Sequence, residues 1–195
     1  ALQGRLVLDA AVATASPVLE LDLRGWAAGA DGDAPPPAAS GPAVGGSSLR
    51  LAGTALRVAG VDPLSVATTA PDLLPRPDAS LPDGGRSGFL SPDAAYLNAA
   101  ALKALGLRTG AVLVLASAQG PQRFTVAGTV AAGGRPLVVL DIAAAQARFG
   151  RVGRLSRVDL RLQPGTDAAA WRAATALPAG VRWAAADDAV QRVSN

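Results

Sequence analysis

The stretch RPLVVLDIAAAQARFGRVGRLSRVDLRL, residues 135–162, fixes a strand, a capped helix and a second strand with little chain left between them. RPLVVL is an apolar run of strand length. Asp141 then stands where a helix N-cap belongs, its carboxylate able to accept backbone N–H groups that a first turn leaves unpaired. The predicted helix carries Ile142, Ala145, Gln146 and Phe149 on one face, and Gly150 and Gly153 break it. From Leu155 onward Val158, Leu160 and Leu162 alternate with Arg157, Asp159 and Arg161, the period-two pattern of a strand with one face in a core and one in water. The alternating charges of the wet face offer modest cross-strand pairing.

The rest of the chain repeats this grammar, an α+β order of strand, helix and strand. ASPVLELDLRGW (15–26) sets Leu19, Leu21 and Leu23 against Val18, Glu20, Asp22 and Arg24 and predicts a half-buried strand. Before it, Leu2 and Leu6 at helical spacing predict the tail of a helix. SLRLAGTALRVAGVDP (48–63) predicts two short strands or one bent strand, closed by Asp62-Pro63. In LSPDAAYLNAAALKALGLRTG, Ser91 is the expected cap, Pro92 the first helical residue and Gly106 the stop, with a buried stripe of Ala94, Leu97, Ala101 and Leu105. AVLVLAS (111–117) and RFTVAGTV (123–130) predict neighbouring strands joined at Gln119-Gly120-Pro121. TDAAAWRAATAL (166–177) predicts a helix, GVRWAA (180–185) a strand, and DDAVQRVSN the beginning of another helix. The Pro- and Gly-rich segments 27–48 and 71–88 are expected to be long loops.

At 195 residues the chain can bury roughly 70% of the surface its unfolded form exposes. Half of its residues are apolar, but three Trp, three Phe and one Tyr leave the core to Val, Leu and Ala. The sequence has no histidine and no cysteine. That removes the commonest general base and metal ligand, together with thiolate nucleophiles and disulfides, and leaves the redox compartment open. No cofactor is expected. Net charge is +3, and since Lys103 is the single lysine among 18 cations, the other 17 are arginine and the pI of about 10.5 is an arginine effect. No apolar run approaches the ~18 residues of a spanning helix. The opening ALQGRLVLDAAVATAS has a superficial leader pattern, but Asp9 interrupts it and no initiating methionine stands before it, so an excised fragment is expected.

Chemistry-bearing constellations are weak. A Ser/Lys pair built on Lys103 would need that lysine buried, whereas its helix face points away from Leu97, Ala101 and Leu105. Asp187-Asp188 reads as a helix start, not a glycosidase pair. DGD at 31–33 begins a calcium loop that Glu20, the chain's sole glutamate, cannot complete. Arg148, Arg151, Arg154, Arg157 and Arg161 form the densest basic stretch. They suit anionic lipid headgroups or an acidic protein surface, or they are simply the solvated side of a loop and strand. Nucleic acid is not expected, because no aromatics interleave with these arginines to stack bases. Gln146 reads as an amide that satisfies loop backbone.

Four segments in order, SPVLEL, LRVAGVDP, LSPDAAYLNAAALKALGLRTGAVLVL and LDIAAAQARFGRVGRLSRVDLRLQPGTD, resemble the extracytoplasmic (periplasmic) core domain of ABC transporter permeases of the MacB/FtsX class, which includes the LolC-type lipoprotein-releasing permeases. Gly60, Asp62, Pro63, Asp141, Gln146, Phe149, Gly150 and Gly153 carry the signature. Leu140 stands where the family usually has methionine, and Ala111 where it often has aspartate. The resemblance implies an α+β fold in which a porter-like α/β subdomain (1–25 and 135–195, its N-terminal part truncated) accepts a β-rich insertion (26–134). It implies a non-catalytic part that sits on the extracytoplasmic face of the bacterial inner membrane, between the first and second membrane helices. Such a part relays movement driven by a separate ABC nucleotide-binding subunit to a cargo, lipoprotein or partner protein, with a second permease copy as a further partner. From the residues alone, a free-standing secreted binding module using loops 27–48 and 71–88 stays open as the alternative, and an enzyme ranks third.

Overall fold

A computed structural model describes residues 2–29, 53–81 and 91–184. Helix α1 (Leu2–Val7) leads into β1 (Val12–Ala27), which is followed by β2 (Thr54–Val61), α2 (Pro63–Thr69) and a 3-10 turn at Pro71–Leu73. Next come the two-residue β3 (Arg76–Pro77), β4 (Ala94–Leu97), α3 (Ala99–Leu105), β5 (Val112–Leu115) and β6 (Gln122–Thr129). β7 (Leu137–Asp141), α4 (Ile142–Arg148), β8 (Arg157–Leu162) and α5 (Ala168–Ala174) complete the order.

The strand pairings close on themselves. β1 runs antiparallel to β2 over Val18–Gly25, and Gly25 also pairs with Leu115 of β5 on its other edge. β2 is parallel to β7, β7 antiparallel to β4, β4 parallel to β6, and β6 antiparallel to β5. The path β1-β2-β7-β4-β6-β5 therefore returns to β1 as a six-stranded ring, with β8 added along the first half of β1 and β3 beside β6. Around this ring β2, from segment 26–134, lies between β1 and β7, and the other three ring strands of that segment, β4, β6 and β5, follow one another.

One face of every ring strand contributes to a single core: Leu19, Leu56, Val58, Val138, Leu140, Ala95, Leu97, Phe124, Val126, Leu113 and Leu115 meet there. Ala101 of α3 and Ala145 and Phe149 at α4 pack against it. A second cluster lies on the opposite face of the sheet, where Val66 of α2 and Leu73 cover Val18, Ala59, Val61, Tyr96 and Val139. Closing a ring of only six strands leaves a narrow interior. The Val, Leu and Ala bias suits it, and Gly60 shows how close the packing is: a Cβ placed there would lie 2.8 Å from the Cβ of Ala145.

Several expectations need correction. The helix over 91–106 begins only at Ala99, because Ala94–Leu97 is a strand whose four residues are all buried between β6 and β7. Asn98, not Ser91, caps α3: its Oδ1 accepts from the Ala101 N–H and from Leu137 N–H, and its Nδ2 donates to the Arg135 carbonyl. Ser91-Pro92-Asp93 instead forms a turn in which the Ser91 Oγ accepts from the Asp93 N–H. The alanine-rich run reads as helix by propensity, but a position flanked by two strands overrides it. No strand forms over 180–184, where Trp183 leans on Trp171 with ring centroids 5.2 Å apart. A further helix, α2, starts at Pro63 under the cap of Asp62. Segment 71–88 holds the 3-10 turn and β3 before its described part ends at Leu81. Most of loop 27–48, DGD 31–33, residues 48–52 and the helix expected from Asp187 lie outside the described residues.

Candidate functional site

The signature residues are joint-makers. The Asp62 carboxylate accepts from the Leu64 N–H at 3.0 Å and from the Ser65 hydroxyl at 2.8 Å, and Pro63 takes the first helical position. Ser65 is also hydrogen-bonded to the fully buried Ser16 of β1, which fastens α2 to the sheet. Asp141 accepts from the Ala144 N–H at 2.9 Å, as its cap position predicts. Phe149 is 8% exposed and stacks on Phe124, centroids 6.2 Å apart.

Past Phe149 the chain turns sharply. Gly150 and Gly153 have φ of +62° and +74°, left-handed values that side chains with a Cβ adopt only with strain. The turn is braced from inside: the Arg151 N–H donates to the Gln146 carbonyl at 2.7 Å, the Arg154 N–H to the Arg151 carbonyl at 2.9 Å, and Gln146 Nε2 to the Arg154 carbonyl at 2.8 Å. Gln146 thus satisfies loop backbone, the role its amide suggests.

The five arginines separate by environment. Arg148 pairs with Asp93, donates to the Arg123 carbonyl at 3.1 Å and sits 4.9 Å above the Phe124 ring. Arg157 pairs with Glu20 and with Asp159, the latter at 2.8 Å. Arg161 is exposed near the far end of β8, opposite Thr14. Arg151 and Arg154 stand exposed at the turn on either side of Val152, which is 76% exposed. Neither of these two side chains has an ion-pair or hydrogen-bond partner among the described residues, so the turn keeps two full positive charges beside an apolar side chain.

The sequence pattern did not reveal the cluster centred on Glu20. Its carboxylate receives Arg57 from β2 at 2.9 Å and Arg157 from β8, so one side chain ties three strands. The Ser156 hydroxyl accepts from the Glu20 N–H at 2.8 Å and strengthens the same joint. Elsewhere, Asp78 accepts from the hydroxyls of Thr109 and Ser80 and from the Ser80 N–H, which lower its pKa from 3.8 to about 2. Lys103 is exposed in the last turn of α3. Among the described residues no three His, Cys, Asp or Glu side chains converge, and no helix is long and apolar enough to cross a membrane.

The α+β fold is similar to that of the extracytoplasmic domains of two ABC transporter permeases, in line with the fold class that the resemblance implies. The chain is similar to the periplasmic region of MacB from Actinobacillus actinomycetemcomitans, with TM-score 0.56 and 9% identity over 88% of this chain and 67% of that one. It is similar as well to the extracellular domain of the noncanonic ABC-type transporter YknZ from Gram-positive bacteria, with TM-score 0.53 and 10% identity over 83% of this chain and 71% of that one. No protein-family model and no curated protein sequence matches the chain.

Proposed function

We propose that this chain is the non-catalytic, extracytoplasmic domain of an ABC transporter permease on the outer face of the bacterial inner membrane, where it relays ATP-driven movement of membrane helices to a cargo or partner protein. The observation that carries this reading is the likeness in fold to the MacB periplasmic region over 88% of the chain. The ATPase resides in a separate nucleotide-binding subunit or domain, and a second permease copy completes the transporter. Residues 1–25 and 135–195 act as the porter-like part and 26–134 as the insertion. Because β2 of the insertion pairs with both β1 and β7, the two parts move as one body. A relay needs stiffness more than a pocket. The ring core, the Glu20 joint and the capped helices supply it.

The test is made on the parent reading frame. Expressed whole, it partitions into membranes and co-purifies with a nucleotide-binding subunit. Recovery of the whole parent chain as a soluble protein without such a partner overturns the proposal.

A further inference from the structure

We infer that Arg151, Val152 and Arg154 form a docking tip for an acidic, apolar-bearing segment of an extracytoplasmic protein, and not for the lipid surface. The inference rests on the permease reading above, in which the segments flanking this chain run to the bilayer.

Orientation decides between protein and lipid. β8 is antiparallel to β1, with Leu162 beside Val12 and Arg157 beside Val18. Both ends of the described chain gather at the Val12 and Leu162 end: Trp171 Nε1 donates to the Asp9 carboxylate at 3.1 Å, and Arg5 reaches the Ala176 carbonyl at 3.5 Å. The turn at 150–154 leaves the opposite end of β8, about 17 Å away along a six-residue strand. Flanks that enter the membrane at one end leave the tip facing away from it, beyond the short reach of headgroup electrostatics.

Chemistry decides the partner. Of the four arginines between 148 and 157, the two beside the helix and the strand are matched by Asp93, Glu20 and Asp159. The two at the turn are left unmatched, with Val152 exposed between them. Arginine presents a planar fork suited to carboxylates, and a pair of such forks flanking an apolar side chain is complementary to acidic residues around a small apolar one. The backbone of the turn is braced by Gln146, so binding has to order the two arginine side chains but not the loop that carries them.

The parent chain, reconstituted in phosphatidylcholine nanodiscs, is titrated with a fluorescein-labelled peptide of alternating glutamate and leucine. In parallel it is titrated with vesicles of equal parts phosphatidylglycerol and phosphatidylcholine. The peptide binds the unaltered protein, binding weakens with added salt, and the Arg151→Glu/Arg154→Glu variant binds at least ~10-fold more weakly. Val152→Ser weakens binding several-fold, and Arg161→Glu, at the other end of β8, leaves it unchanged. Peptide binding that survives the double reversal, or an equal loss with Arg161→Glu, overturns the inference. So does vesicle binding that depends on Arg151 and Arg154. A thermal melt equal to that of the unaltered protein establishes that the variants are folded. If the parent chain proves soluble, the permease reading falls, and peptide titration of that soluble chain still reports whether the tip binds.

Discussion

The side-chain amide of Gln146 spans the turn between α4 and β8 to donate to the carbonyl oxygen of Arg154, 2.8 Å away. A helix residue therefore holds the shape of a loop whose residues 151–154 are all exposed. Gln146→Ala removes that donor while leaving the backbone bond from Arg151 to the Gln146 carbonyl in place. Stability falls by about 1 kcal/mol, the net worth of one such hydrogen bond. Backbone amides of residues 150–155 exchange hydrogen faster in the variant, and those of β7 do not. Hydrogen exchange read by mass spectrometry checks both halves.

Phe149→Ala destabilises the protein by roughly 3 to 5 kcal/mol, as expected for an aromatic removed from a packed interior. Phe149 closes the ring core against Phe124, so its loss opens a cavity that neighbouring alanines are too short to fill. Equilibrium urea unfolding measures the change. A value within ~0.5 kcal/mol of zero means that α4 does not seat on the ring through this side chain.

Gly60→Val overfills the contact between β2 and α4, since even a Cβ at this position lies 2.8 Å from that of Ala145. The cost is about 1 to 3 kcal/mol. Combining it with Ala145→Gly recovers part of the loss, because the tightest contact is with Ala145, while the Ile142 Cα at 3.3 Å stays in place. The double-mutant comparison distinguishes a local clash from a general β-propensity effect, which Ala145→Gly would not relieve.

The Thr109 hydroxyl, followed by the hydroxyl and N–H of Ser80, holds the Asp78 carboxyl at a pKa of about 2 instead of 3.8. A carboxylate whose folded pKa is lowered contributes stability that is fully present above its unfolded pKa and is lost as pH falls through the folded one. Asp78→Asn therefore lowers the urea midpoint by a constant amount above about pH 5. The gap closes between about pH 4 and pH 2 as the unaltered protein becomes protonated. Thr109→Val moves that closing window toward higher pH. A gap that persists unchanged at pH 2 means that the interaction does not depend on the charge.

Much of the local structure is legible in the residues. Asp141 caps α4, Phe149 and Ala145 turn inward, and Gly150 and Gly153 take left-handed conformations, because capping, helical period and the freedom of glycine act within a few residues. β5, β6 and β7 follow from short apolar runs between turn signals. Gln146 was recognisable as a backbone-satisfying amide for the same reason: its partner is eight residues away.

What the tertiary structure alone decided involves partners far apart in the chain. Ala94–Leu97 is a strand because β6 and β7 lie on either side of it, and an alanine-rich run has no local property that announces such neighbours. Glu20 joins Arg57 and Arg157, the latter 137 residues on, so its role exists only once three strands are in register. The arginines that look like one patch in sequence are separated by where their carboxylates arrive. Asp93, from the turn before β4, and Glu20, from β1, neutralise Arg148 and Arg157, while the turn carries Arg151 and Arg154 beyond the reach of any described carboxylate. Local propensity wrote the elements. Long-range electrostatics and the closing of the ring determined which of their side chains remain available to another molecule.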